Sequence, residues 1–299
     1  MKASNQRTLA GRVAIVSGAG EGIGRSCALA FARDGADVAL GARRPEHLER
    51  VADEVRALGR RALAVPTDIA DPARCRELVS RTVAELGRLD AVVNVAALSD
   101  AHTTVEDTDW DVFRRVFEVN VIGTLEVSRA AIAPMRSAGG GSIVQISSTA
   151  MRSRPAKQAP YASTKSALVV ASQVLAREAG PDNVRVNVVV PGYVTGPHLD
   201  ALFATMAERR GQTVEEIFAE AASLTALGRI PSPEDVAEAV LFLASGRSAG
   251  ITGVTLDGQR LSRDGSWLGQ KVVQRLGQTP SEYRLTVPPL SAALVNSRS

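Results

Sequence analysis

Tyr161 and Lys165 stand four residues apart in Tyr161-Ala162-Ser163-Thr164-Lys165. On a helix that spacing puts a phenol and an ammonium on one face. A free tyrosine titrates near ~10, so it exchanges a proton at neutral pH only when its anion is stabilised, and a nearby fixed positive charge does that. Lowering that value by about two to three units corresponds to roughly 3 to 4 kcal/mol of differential stabilisation. Alone, such a pair more often describes a helix with an exposed lysine and a packed ring. Ser148 changes the balance, because it closes an apolar run upstream of Tyr161. In a parallel sheet the carboxyl ends of strands line the ligand crevice, so a hydroxyl there can meet the phenol.

A second chemistry-bearing stretch is Ser17-Gly18-Ala19-Gly20-Glu21-Gly22-Ile23-Gly24, between the apolar run Val13–Val16 and a helix-period segment. Glycines there let the backbone approach a pyrophosphate and the helix approach the sheet, while the helix's first free N–H groups point at the phosphates.

The elements needed to position these groups follow from the alternation of short β-branched runs with longer helical segments, which implies βαβ units and a parallel sheet. Strands are predicted at Val13–Val16, Asp37–Leu40, Ala62–Val65, Ala91–Asn94, Ser142–Ser147, Val184–Val190 and Val254–Asp257. Helices are predicted at Ile23–Asp34 (closed by Gly35), Glu46–Leu58 after Pro45 (stopped by Gly59), Pro72–Leu86 (stopped by Gly87), Trp110–Arg136, Tyr161–Ala179 and Pro233–Ala244. Pro191–Ile230 reads as less regular. Near-continuous apolar strands need cover on both faces, so the expected architecture is a three-layer, doubly wound Rossmann-like α/β fold with a parallel sheet of about seven strands. It is expected as one domain over residues 1–263, with 264–299 as a C-terminal arm or tail.

The 299 residues are 45% hydrophobic and 22% charged, which excludes a disordered or charge-saturated chain. A formal charge of +3 over this length does not suggest a nucleic-acid groove. Cys27 and Cys75 both fall in predicted helices and read as buried free thiols, which suits a reducing compartment. The first apolar stretch is too short for a signal h-region, and no run approaches the roughly 18 apolar residues of a membrane span. The expectation is a cytoplasmic protein with no membrane, nucleic-acid or metal partner.

With these residues in place, the chain resembles the short-chain dehydrogenase/reductase family in its single-domain branch, over roughly residues 9 to 258. Gly18, Gly22 and Gly24 match the family's TGxxxGxG turn; Asp68 its acidic residue after strand three; Asn94-Val95-Ala96-Ala97 its NNAG; Asn120 its helix asparagine. Ser148, Tyr161 and Lys165 match its catalytic set, and Pro191-Gly192 and Thr195 its PG motif and the following threonine. The resemblance implies an NAD(P)-dependent oxidoreductase interconverting an alcohol and a ketone or aldehyde. Tyr161 would be the general acid/base, Ser148 would hydrogen-bond the reacting oxygen, and Lys165 would stabilise the tyrosine anion and hold the nicotinamide ribose. Asn120 would position a relay water. Asp68 would bond the adenine amino group and Thr195 the carboxamide. Gly20, Glu21, Ile23, Ile69, Ala96 and Val194 complete the implied nucleotide-binding set. Hydride chemistry belongs to the cofactor, and the protein supplies position and electrostatics.

This chain departs from the family's commonest pattern at Ser17, which replaces threonine, and at Val95 and Ala97 within the NNAG stretch. Cofactor choice turns on the end of strand two, Gly41-Ala42-Arg43-Arg44. There Ala42 stands where an acid would hold a ribose 2′-hydroxyl, and Arg43 follows. A guanidinium can meet a 2′-phosphate with two hydrogen bonds, which favours NADP over NAD. Glu21 argues the other way, because its carboxylate would repel that phosphate. Arg44 also reads as a solvated helix-start charge.

Within Pro191–Ile230, His198, Leu199, Leu202, Phe203 and Met206 offer apolar surface for a hydrophobic alcohol or ketone, and Glu208–Gln212 reads as a solvated face. His102 reads as a surface residue near the substrate entry. By the resemblance, a homotetramer or dimer assembles through the helices around Asn120–Arg136 and Tyr161–Ala179. Trp267, Leu268, Tyr283 and Leu285 in the arm could dock on a neighbour. A rival reading, a non-catalytic dinucleotide sensor or scaffold on the same fold, would be expected to have lost the tyrosine or lysine. A dehydratase or epimerase is the alternative among enzymes.

Overall fold

Strand β1 (Val13–Ser17) is buried along its whole length, as a strand covered on both faces must be. In a computed structural model, which describes residues 8–99 and 103–257, it lies centrally in a seven-stranded sheet. The other strands are β2 (Asp37–Ala42), β3 (Ala62–Pro66), β4 (Ala91–Asn94), β5 (Gly141–Ile146), β6 (Val184–Val190) and β7 (Thr255–Asp257). The order is β3-β2-β1-β4-β5-β6-β7, and β1 to β6 pair in parallel throughout. The order reverses between β1 and β4, the switch point outside which open α/β sheets bind ligands. The predicted alternation and doubly wound class are therefore the observed ones.

Helices connect the strands: α1 (Ile23–Arg33), α2 (Pro45–Ala57), α3 (Pro72–Leu86), α4 (Trp110–Phe117), α5 (Thr124–Ser137), α6 (Ala150–Ser153) and α7 (Ala159–Ala179), with α8 (Pro197–Arg210), α9 (Val214–Ser223) and α10 (Pro233–Ala244) following. Local chemistry sets their ends. Asp71 caps α3, its side chain accepting from the Ala73 N–H, Pro72 fills the first turn, and Gly87 closes the helix in the left-handed region. The single helix predicted over Trp110–Arg136 is corrected. A π-helical turn, Glu118–Gly123, separates α4 from α5 and carries Asn120. Such turns insert an extra residue and collect at functional positions.

The core on one face of the sheet contains Ile15, Leu78, Leu89, Val92, Met135 and Ile143. Cys27 and Cys75 are buried and unpaired, as their helical positions implied. A row of polar side chains crosses the sheet just below its carboxyl edge, where Ser17 is in register with Asn94 and Asn94 with Gln145. Asn94 Nδ2 donates to Gln145 Oε1 at 2.9 Å and to Ser128 Oγ at 3.1 Å. At the opposite edge, Asp37 is clasped by Arg60 and Arg61, and Asp90 by Arg12 and Arg88.

The described chain divides into two compact units, residues up to Pro191 with Pro233–Thr255 and, separately, Gly192–Ser232 with the residues after Thr255. The second unit has its own core. Leu199, Phe203, Ile217 and Ala221 are buried there, and the Phe203 ring meets those of Tyr193 and Phe218 edge-on at 5.2 and 4.9 Å. The Thr213–Glu216 capping box starts α9. The region read as less regular holds a helical pair, α8 and α9. His102 and residues 264–299, with the proposed docking groups Trp267, Leu268, Tyr283 and Leu285, lie outside the described residues.

Candidate active site

Ser148 follows β5, and α7 carries Tyr161 and Lys165. The two elements are stitched in both directions, since Lys165 Nζ donates to the Ile146 carbonyl at 2.9 Å and Ser147 Oγ donates to the Lys165 carbonyl at 2.9 Å. Helix α7 begins at Ala159, two residues before the predicted start, with Pro160 in its first turn. Tyr161 therefore sits within the helix, and the i, i+4 relationship holds. Lys165 Nζ stands 5.6 Å from the centre of the Tyr161 ring. The lysine is 2% exposed, and burial pushes its ammonium down to about 8 from the ordinary 10.5. Ser148, half-buried, accepts the Ala150 N–H on its Oγ at 3.2 Å, which orients the hydroxyl at the start of α6.

Asn120 is fully buried on the π-turn. Its amide accepts from the Leu98 N–H at 2.7 Å and donates to the Leu98 carbonyl at 3.0 Å and to Thr164 Oγ1 at 3.1 Å. Thr164 in turn donates to the Tyr161 carbonyl at 2.8 Å. Asn120 is thereby joined to the loop after β4 and to α7, one residue from Lys165. Ser147, Thr164 and Leu98 went unnoticed in the sequence. Thr164 sits inside the Tyr161–Lys165 interval, and its place there was the only signal available.

The glycine turn follows β1 as expected. Gly18 has φ +90°, and a Cβ on it would overlap the Ala96 backbone; a Cβ on Gly24 would overlap the Gly18 carbonyl. These two residues bring turn, helix and the loop after β4 together, whereas nothing stands against a Cβ at Gly20 or Gly22. Ile23 opens α1 beside them. Ala96 donates its N–H to the Ser17 carbonyl at 3.0 Å. Ser17 Oγ and Asn94 Oδ1 are buried without a hydrogen-bond partner among the described residues.

Arg43 and Arg44 are exposed just beyond β2, and neither has an ion-pair partner among the described residues. Glu21, whose carboxylate weighs against a 2′-phosphate, is paired with Arg50 at 3.2 Å. Beside that pair, Gly22, Arg25, His47 and Glu54 help to line a hollow of about 310 Å³. Asp68 and the buried Ile69 follow β3; Asp68 Oδ1 accepts from the Ala70 N–H at 3.0 Å. Pro191 ends the first segment of the first unit. Gly192, Val194 and Thr195 belong to the second, where the Thr195 N–H donates to the Pro231 carbonyl at 3.0 Å.

A doubly wound sheet with a glycine turn after its first strand, and a tyrosine and a buried lysine one turn apart on the helix after its fifth, fits a class of nucleotide-dependent oxidoreductases. The chain belongs to the short-chain dehydrogenase/reductase family; residues 18–258 match the family model described as enoyl-(acyl carrier protein) reductase. Among curated relatives, the short-chain reductase protein NovJ of Streptomyces niveus is 37% identical over 252 residues, 83% of this chain and 93% of its own. Among solved structures, carveol dehydrogenase from Mycobacterium avium in complex with NAD superimposes with TM-score 0.79 at 30% identity, covering 84% of this chain and 96% of that one. L-sorbose reductase from Gluconobacter frateurii, complexed with NADPH and L-sorbose, gives TM-score 0.80 at 27% identity, covering 89% and 99%. Among the described residues, no helix is long and apolar enough to cross a membrane.

Proposed function

We propose that the protein is an NAD(P)-dependent oxidoreductase that interconverts an alcohol and a ketone or aldehyde, with Tyr161 as general acid/base. The observation carrying this reading is the buried Lys165 ammonium 5.6 Å from the Tyr161 ring centre. A buried cation is costly unless something nearby uses it. A positive charge held this close lowers the cost of a phenolate on Tyr161. Tyr161 then gives its proton to the substrate oxygen in reduction and takes it back in oxidation. Ser148 Oγ donates to that same oxygen as charge develops on it. Asn120, through Leu98 and Thr164, holds the loop after β4 against the helix bearing Tyr161.

The residues present fit a nicotinamide dinucleotide, which supplies the hydride donor or acceptor when bound. The space over Gly20 and Gly22 leaves the first N–H groups of α1 open to a pyrophosphate. The unpaired Arg43 guanidinium suits a 2′-phosphate, and Arg50 offsets part of the Glu21 charge that would oppose one. Both features support NADP over NAD. Val170 and Val174 on α7 and Ile122 on the π-turn are exposed apolar residues, which supports assembly as a tetramer or dimer through these helices.

The test is absorbance at the reduced-nicotinamide band with purified protein, both nucleotides and a panel of alcohols and ketones. Turnover that Tyr161→Phe abolishes is expected. Nucleotide binding without turnover, unchanged in that variant, would point to the sensor or scaffold instead.

A further inference from the structure

Between Ser148 and Tyr161, two residues hold a backbone that side chains rarely accept. Arg154 closes α6 with φ 45° and ψ 57°, the left-handed cap position that glycine fills most easily. Pro155 follows it, and the residue before a proline ordinarily keeps an extended backbone. Lys157, in the turn before α7, has φ 66°. At both positions glycine would be the less strained residue, yet the chain carries its longest basic side chains there. Residues held in this way collect at active sites and ligand clamps.

No contact within the fold accounts for them. Both side chains are exposed, and neither has a hydrogen-bond or ion-pair partner among the described residues. No aspartate or glutamate stands between Glu126 and Glu178, so the stretch that carries Ser148, Tyr161 and Lys165 has no carboxylate of its own to offset the two charges. The segment is tied to the site at both ends. Ser148 Oγ accepts the Ala150 N–H at 3.2 Å where α6 starts, the Arg154 N–H donates to the Ala150 carbonyl at 3.0 Å where it stops, and Lys157 leads into the helix that bears Tyr161. At a helical rise of about 1.5 Å per residue, Arg154 lies roughly 9 Å along from Ser148. Four residues of chain keep Lys157 within about 14 Å of Tyr161. Two uncompensated cations so near the reacting oxygen attract anions to it.

Resting on the oxidoreductase reading above, we infer that Arg154 and Lys157 recognise an anionic group, a carboxylate or a phosphate, on the alcohol or ketone that the protein turns over. The guanidinium fork suits either group with two hydrogen bonds, and the lysine adds a point charge. The side chains that glycine would lack are then the reason the strained backbone is kept.

The experiment measures kcat/KM, with both nucleotides, for keto acids of increasing chain length, their methyl esters, and keto phosphates with their unphosphorylated keto alcohols. The unaltered protein should favour the anionic member of a pair by about tenfold or more, the scale of a hydrogen bond to a charged group. Whether the acids or the phosphates show the larger ratio identifies the group. Added salt should reduce the ratio. In Arg154→Gly/Lys157→Gly it should narrow to about threefold or less, chiefly through KM of the anionic member, and in Arg154→Lys part of it should remain. The glycine variant takes the left-handed backbone without strain and should fold; asparagine at both positions, also tolerant of that backbone, should act alike. A neutral member turned over as readily as its anionic partner overturns the inference and leaves the oxidoreductase reading in place. So does a ratio that survives in the glycine and asparagine variants. If no member of any series is turned over with either nucleotide, both readings fall.

Discussion

The side-chain amide of Asn120 closes two hydrogen bonds on the backbone of one residue, Leu98, accepting from its N–H at 2.7 Å and donating to its carbonyl at 3.0 Å. Its remaining donor reaches Thr164. Replacing Asn120 with leucine strands the Leu98 N–H and carbonyl and removes the partner of Thr164. Each buried polar group left alone costs about 1 to 3 kcal/mol, so Asn120→Leu should lower unfolding free energy by about 2 to 4 kcal/mol in urea titrations. It should also reduce kcat at least about tenfold, since the loop after β4 then loses its tie to α7. A stability loss under about 1 kcal/mol would show that the clasp is not what holds the loop.

Lys165 makes function and stability oppose each other. Its folded value, about 8, lies below its ordinary 10.5, so between those pH values the folded protein binds fewer protons than the unfolded chain. Stability should therefore rise with pH across that window and carry the full burial penalty below it. Lys165→Met should abolish the slope. At pH 7 it should stabilise the protein by about 1 to 3 kcal/mol, the upper bound being the whole shift and the lower allowing for the Ile146 carbonyl that loses its donor. Turnover should disappear in the same variant. Thermal melts from pH 6 to pH 10 read both signs, and a Met variant less stable at pH 7 would refute the account.

Much of this arrangement was legible in the sequence because it depends on local spacing. The Tyr161–Lys165 interval, the turn from Gly18 to Gly24 and the alternation of strand and helix are set by residues close together in the chain. The π-turn at Glu118–Gly123 was not legible. Trp110 to Arg136 is compatible with one unbroken helix, and only tertiary contacts, those of Asn120 with Leu98 and Gly123 with Ile69, show why a residue is inserted there. The same limit hid Arg115 on Asp68 and Arg50 on Glu21, pairs that only folding brings together. The latter matters because Glu21 weighed against a 2′-phosphate, and its pairing with Arg50, both side chains more than half exposed, offsets only part of that repulsion.

That pairing bears on nucleotide choice. Arg43→Ala should weaken binding of the phosphate-bearing dinucleotide by about ten- to a hundredfold, the scale of a charge-assisted hydrogen bond. NAD affinity should stay within about twofold. Arg50→Ala frees the Glu21 carboxylate and should weaken the same phosphate-bearing ligand without touching the phosphate itself. Fluorescence titrations with both nucleotides at fixed ionic strength separate these effects. Equal losses for NAD and NADP in Arg43→Ala would remove the guanidinium from the 2′-phosphate site.

Far from the crevice, Asp90 anchors the amino end of the sheet. Burial pushes its carboxyl upward, but hydrogen bonds from Arg88, the Val13 N–H and Arg12 outweigh that and hold it below the ordinary 3.8. A carboxyl depressed in the folded state contributes stability above its unfolded value, and loses it as pH falls through the folded one. The two arginines are 38% and 49% exposed, so solvent screens part of the attraction. Asp90→Asn keeps an acceptor for Val13 but drops the charge, and should cost about 1 to 2 kcal/mol at pH 7. The deficit should shrink as pH falls from the ordinary 3.8 through the lower folded value, where the native carboxyl becomes protonated as well. Urea midpoints for both proteins at pH 7 and pH 3 measure it. A deficit of the same size at both values would assign the loss to packing and not to charge.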